Sequence, residues 1–288
     1  MQPKTRLVAV DIDGTLLDPA GTVTAAVRSA LDRAASQGVM VVLATGRRFR
    51  TSKQIALDAG LKSYVICQHG THVRRIEDDE LVWCAPLETA VARGVVEVMS
   101  EAGFEPRVFL DGFEKELDFL IVTTREKPGE MFGYTGTAWK VVHEVSVPAD
   151  TRIMEVASFG PREALEPVRE EIERRFGESV GVHVIKPPGD WYWCLEAISP
   201  LAGKGNALLT LAKRLNVRPE ETAAVGDDVN DVDMLRKAGV GIAMGNAPEA
   251  VKAEADFVVA ANSDDGLAEA LGRLLGGGAQ LEGAAPKR

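Results

Sequence analysis

Histidine and cysteine are scarce in this chain. The four histidines among 288 residues form no H-E-x-x-H or comparable ligand spacing, so a zinc centre is not expected. The three cysteines, Cys67, Cys84 and Cys194, are widely spaced and include no C-x-x-C pair. They read as small apolar residues in a reducing compartment. Positive charge is also short: 33 Lys and Arg stand against 43 Asp and Glu, giving a net charge of -10. An acidic chain supplies no cationic field for nucleic-acid backbones or anionic membranes. The local run Arg47-Arg48-Phe49-Arg50 is too brief to reverse that. No apolar stretch is long enough to span a bilayer. The N-terminus lacks a charged leader followed by an apolar segment and a small-residue cleavage site. The expectation is a cytoplasmic globular protein, with neither nucleic acid nor membrane as partner.

What is present is the patterning of an α/β protein. Leu7 to Val10 is a short apolar run ending at Asp11, as in a parallel strand buried on both faces. Thr24 is placed to cap a helix whose apolar positions are Ala26, Val27, Ala30, Leu31 and Ala34, with Gly38 as the stop. Val39 to Ala44 reads as a second strand, 51–59 as a helix, and Tyr64 to Cys67 as a third strand. This β-α-β-α-β order implies right-handed crossovers and a parallel sheet. The style then changes. Val73 to Ile76 and Leu81 to Cys84 flank four acidic residues as a hairpin would. Residues 85–188 carry about two strands per helix, an α+β pattern. Gly129 to Thr137, rich in glycine and turn residues, reads as a loop, and Trp191-Tyr192-Trp193 as packing at a domain junction. From Leu195 to Ile198 the first style resumes and runs to a last helix, Asp265 to Leu275. The expected organisation is a core of 1–84 and 189–275, an inserted domain of 85–188, and a disordered Gly- and Ala-rich tail of 276–288.

In open α/β sheets, ligands bind beyond the carboxyl ends of the strands. The polar residues that stand out all fall there. Asp11 and Asp13 leave the first strand, separated by one residue and followed by Gly14, which permits a sharp turn. Two carboxylates that close cannot both ionise easily, so one is inclined to keep a proton. One residue type thereby offers a nucleophile and a general acid. Thr45-Gly46-Arg47 follows the second strand and Gly226-Asp227-Asp228 a later one. Lys204 opens a helix, where the macrodipole disfavours a cation, a placement that favours a functional role over a surface one. Thr45 could instead cap a helix, and Arg47 serves equally well as an anion contact or as half of a structural ion pair.

Together these strings resemble the haloacid dehalogenase superfamily. Asp11-Ile12-Asp13-Gly14-Thr15-Leu16 looks like its first motif, Thr45-Gly46-Arg47 its second, Lys204 its third and Gly226-Asp227-Asp228-Val229-Asn230-Asp231 its fourth. The insertion before Lys204 and the run ending at Met234 resemble the Cof-type branch, subfamily IIB. The resemblance implies a Rossmannoid parallel-sheet core with an inserted α+β cap of the C2 type. It implies a magnesium-dependent phosphatase of a small phosphorylated metabolite, a sugar phosphate or a phosphorylated cofactor. Asp11 would attack phosphorus, and Asp13 would protonate the leaving group and then activate water. Mg2+ would sit on Asp11, the Asp13 carbonyl and Asp227. Thr45, Gly46, Arg47, Lys204 and Asn230 would contact the phosphoryl group, with Asp228, Asn230 and Asp231 in the outer shell of the metal.

One position departs from the pattern. After the third strand the branch usually has Asn-Gly, and here it is His69-Gly70, which puts an amide contact to substrate in doubt. Receiver domains and P-type pumps share the aspartyl-phosphate chemistry but lack a second aspartate two residues on. A phosphosugar mutase of the same superfamily and a non-catalytic phosphometabolite-binding protein remain as alternatives.

Overall fold

The computed structural model describes residues 4–125, 138–145, 151–186 and 192–276, which form two compact units. In chain order the first stretch holds β1 (Leu7–Val10), α1 (Ala25–Ser36), β2 (Met40–Ala44), α2 (Phe49–Asp58), β3 (Tyr64–Cys67), β4 (His72–Arg75) and β5 (Leu81–Cys84). Next come α3 (Thr89–Glu101), β6 (Arg107–Leu110), β7 (Phe119–Val122), β8 (Trp139–Val142), β9 (Ile153–Gly160), α4 (Arg162–Phe176), β10 (Gly181–Ile185) and β11 (Trp193–Ile198). The last stretch is α5 (Lys204–Arg214), β12 (Thr222–Gly226), α6 (Val232–Lys237), β13 (Val240–Ala243), α7 (Glu249–Lys252), β14 (Phe257–Val258) and α8 (Gly266–Leu275).

The first and last stretches share one sheet in the order β14-β13-β12-β1-β2-β3-β4-β5. Its strands from β14 to β3 run parallel, and the β4–β5 hairpin closes one edge antiparallel. β1 is central, and all four of its side chains are fully buried, which is why it reads as an unbroken apolar run. Helix α1 starts where the sequence places it: the Val27 N–H donates to Thr24 Oγ1 at 3.2 Å. Its buried stripe is Val27, Ala30, Leu31 and Ala34, one face of a 3.6-residue period, whereas Ala26 of the expected set is exposed. Gly38 then takes φ +73°, a left-handed conformation that suits glycine.

The second unit is a six-stranded sheet, β10-β11-β9-β6-β7-β8, antiparallel except for the β7–β8 pair. Helices α3 and α4 pack through Val91, Val95, Met99, Leu165, Val168 and Ile172 onto one of its faces. The opposite face holds a smaller cluster of Phe109, Phe119, Ile121, Ala157 and Cys194.

Here the structure corrects the expected boundary at 188. Strand β11 pairs antiparallel with β9 and β10, so it belongs to the second sheet, and that unit runs from Ala85 to Ala202. The strand-like stretch Leu195 to Ile198 resembles a core strand because it too is buried on both faces, and periodicity alone does not say which sheet buries it. The Gly129–Thr137 loop, Trp191 and residues 277–288 of the expected tail lie outside the described residues.

Candidate active site

Two close approaches shape the site, one in the loop leaving β1 and one in the turn after β3. The Asp11 N–H donates to the Val225 carbonyl at 3.0 Å, so Asp11 still belongs to the sheet and stays almost fully buried. The chain then turns through Gly14 at φ +83°, a left-handed conformation that suits glycine. A Cβ on Gly14 would also lie 2.2 Å from Asp227 Oδ2, so any side chain there would have to displace the Asp227 carboxylate. A second such contact occurs at Gly70, φ +87°, where a Cβ would lie 2.3 Å from the Gly203 carbonyl carbon and 2.6 Å from the Lys204 nitrogen. The glycine of His69-Gly70 thus lets the start of α5 pass close beside the turn after β3. His69 itself is left-handed (φ 56°), donates its N–H to the Thr45 carbonyl at 3.1 Å, and lays its ring against Gly46.

These approaches bring Lys204 into the interior, where it is 1% exposed. Its ammonium lies 2.6 Å from Asp11 Oδ1 and 2.6 Å from Asp231 Oδ1, with Asn230 Oδ1 at 3.4 Å. Burial by itself would lower the lysine pKa, but the Asp11 and Asp231 carboxylates outweigh it and hold the ammonium charged. Asp231 is completely buried and uses both oxygens, since Oδ2 accepts the N–H groups of Asp227 and Asp228 at 3.0 and 3.1 Å. Asp11, Asp227 and Asp231 each present an oxygen within 4.8 Å of the others. One ammonium therefore serves three carboxylates. Burial, with repulsion from Asp231, raises the Asp11 carboxyl well above the usual range. The same two causes push Asp227 up to about 7, against the lowering effect of the Thr15 hydroxyl, which donates to Asp227 Oδ1 at 2.9 Å. The unbalanced negative charge is what a hard divalent cation would relieve, and carboxylate oxygens are its preferred donors.

Asp13 is placed differently from the sequence expectation of two adjacent carboxylates sharing a proton. Its oxygens accept from Arg47 Nε at 2.7 Å and Nη2 at 2.6 Å, a two-pronged pair. That hydrogen bonding raises the Arg47 pKa further. The charges acting on Asp11 are the like carboxylates of Asp231 and Asp227 and the opposing ammonium of Lys204, and the Asp13 carboxylate is not in the three-oxygen cluster.

Of the remaining expected residues, Thr45 is buried at the end of β2 and its Oγ1 accepts the Arg47 N–H at 3.1 Å. Asp228 caps the turn Val229–Asp231 by accepting the Val229 N–H at 2.7 Å. The reading from sequence passed over Thr15 and Asn246. Asn246 Nδ2 donates to Gly14 O at 2.9 Å and to Asp227 Oδ2 at 3.1 Å. The available signal was its position just beyond β13, at the same edge of the sheet as Asp11 and Asp227.

A buried lysine bridging the carboxylate after β1 to those after β12, on this sheet order, defines a class. The chain belongs to the haloacid dehalogenase-like hydrolase family, whose model matches residues 8–271. Phosphatase YwpJ of Bacillus subtilis is 29% identical, covering 94% of this chain and all of the relative. Pyridoxal phosphate phosphatase YbhA of Escherichia coli is 27% identical over 92% of this chain and 97% of its own. A haloacid dehalogenase-like hydrolase structure from B. subtilis superposes with a TM-score of 0.76 at 26% identity, covering 93% of this chain and 99% of that one.

Proposed function

We propose that this enzyme is a magnesium-dependent phosphatase that cleaves a small phosphorylated metabolite through an aspartyl-phosphate on Asp11. The observation that carries the reading is the Lys204 ammonium wedged between Asp11 Oδ1 and Asp231 Oδ1. Lys204 holds Oδ1 and leaves Oδ2 to attack phosphorus, and its charge lowers the repulsion between an anionic nucleophile and an anionic substrate. Asp11, Asp227 and the carbonyl of Asp13 would hold Mg2+, with Asp231 anchored behind them by its three hydrogen bonds. When bound, the ion would neutralise charge on the transferring phosphoryl group.

In the first step a bond forms between Asp11 and phosphorus as the phosphorus–alkoxide bond breaks. Asp13, having left Arg47 and taken up a proton from solvent, gives that proton to the departing oxygen. In the second step Asp13 takes a proton from water, the hydroxide oxygen bonds to phosphorus, and the Asp11–phosphorus bond breaks to release inorganic phosphate. Asp13 must leave Arg47 for this work. The guanidinium matches phosphoryl oxygens as well as it matches a carboxylate, so an arriving phosphate competes for it. Thr45, Gly46 and Asn230 complete the phosphoryl contacts in this reading, and Asp228 supports the turn that carries Asp231. The similarity to the pyridoxal phosphate phosphatase YbhA makes phosphorylated cofactors a first substrate class to examine, beside sugar phosphates. No helix among the described residues is long and apolar enough to cross a membrane. Three free thiols accord with the reducing cytoplasm.

The test is phosphate release from a panel of phosphorylated metabolites, with Mg2+ and with chelator, for wild type and Asp11→Asn. The expected result is magnesium-dependent release that the folded variant loses. Release surviving Asp11→Asn would overturn the mechanism.

A further inference from the structure

Asn246 stands outside every motif named above, yet it touches two of them. Its amide nitrogen donates to Gly14 O and Asp227 Oδ2, at 2.9 and 3.1 Å. Its amide oxygen accepts the Asn262 N–H at 3.0 Å, and the Asn262 side chain donates to Leu17 O at 2.8 Å. These contacts fix the sense of the amide. The oxygen must face a main-chain donor, so the NH2 group must face the carboxylate. Thr15 Oγ1 holds the other oxygen of Asp227, and the bare Cα of Gly14 lies against it. The Asp227 carboxylate is thereby held at both oxygens, and the Asn246 amide links it to the turn that follows the nucleophile.

We propose that Asn246 is a positioning residue for the cation site, locking the Asp227 carboxylate in its ligating orientation against the Gly14 carbonyl. The inference rests on the magnesium-dependent reading above. Groups that orient a metal ligand typically change metal affinity by about 10–100-fold. Asn246 is exposed, so water can replace part of its contribution, and the effect belongs at the lower end.

The experiment titrates Mg2+ against the thermal midpoint of the whole enzyme and, in parallel, against activity. For Asn246→Ala, the Mg2+ concentration giving half the midpoint rise should increase about tenfold. Activation should shift equally, with kcat at saturating Mg2+ restored to near wild type. Asn262→Ala, which removes only the orienting side chain on the Leu17 loop, should shift both curves in the same direction by less. An unshifted Mg2+ titration would overturn the inference, whether or not the variant is less stable in chelator. So would a loss of kcat that saturating Mg2+ does not repair. If wild type itself shows no Mg2+-dependent midpoint rise, the magnesium reading fails, and this inference falls with it. A wild-type response matched by the variant sinks this inference alone.

Discussion

Arg47 grips Asp13 through two parallel hydrogen bonds of 2.7 and 2.6 Å, while Asp11, two residues earlier, is bound by Lys204. The two aspartates are thus separated in role by which cation each meets. Arg47→Lys keeps the charge but loses the fork, and Arg47→Ala loses both. Steady-state kinetics should show kcat/KM falling about tenfold for the lysine variant and on the order of a hundredfold for alanine. Stability should change by no more than about 1 kcal/mol, because the pair is partly solvated.

Lys204→Met should be far more damaging to the fold. It leaves Asp11 and Asp231 buried without their shared ammonium, and breaking a buried ion pair costs roughly 3–5 kcal/mol. Urea melts in chelator would measure that loss. Adding Asp11→Asn to the same chain removes one of the stranded charges, so the double variant should recover part of it.

The metal-free protein should become less stable as pH rises towards neutrality. Asp227 is pushed up to about 7 in the folded state, chiefly by burial, and returns to about 3.9 when unfolded. The folded state therefore binds the proton more tightly; stability falls between roughly pH 4 and 7, where the unfolded chain has released the proton and the folded state still holds it, and levels off once the folded carboxyl ionises. In the magnesium-dependent reading proposed above, Mg2+ competes with the same proton. Thermal midpoints taken from pH 5 to 8, with Mg2+ and with chelator, should diverge as pH increases.

Two glycines with similar backbones should respond differently to alanine. Gly38 has φ +73° and open space around it, so Gly38→Ala should cost only the left-handed strain, about 1–2 kcal/mol. Gly70→Ala adds a Cβ 2.3 Å from the Gly203 carbonyl carbon, so its cost should exceed that of Gly38→Ala by roughly 2 kcal/mol or more. It should also displace Lys204 and depress phosphatase activity, which Gly38→Ala should leave unchanged. Chemical denaturation and phosphate release on both variants check this.

Much of the core was legible because its signals are local. Thr24, Gly38 and the stripe from Val27 to Ala34 define α1 within fifteen residues, and the apolar run before Asp11 marks a doubly buried strand. The D-x-D string, Lys204 and the Asp227 to Asp231 run are likewise visible in sequence, and the structure brings Asp11, Lys204, Asp227 and Asp231 together. What escaped was pairwise. Nothing in Trp193–Ile198 reveals that its neighbours are β9 and β10. The Arg47–Asp13 fork depends on how two loops end, and Asn246 meets Gly14 across 232 positions of chain. Distance along the chain hides such contacts, since neither partner carries a mark of the other.

The placement of β1 between β2 and β12 also has a bearing on synthesis. One neighbour follows within a few dozen residues, but the other is Thr222–Gly226, beyond the whole inserted unit. At about 5–20 residues per second, a ribosome takes roughly 10–40 s to make the intervening chain. For that interval the strand leading to Asp11 has an open edge, and until residue 204 is made Asp11 lacks Lys204 as a counter-ion. The nascent N-terminal segment is therefore where chaperone engagement and strand-edge aggregation should concentrate.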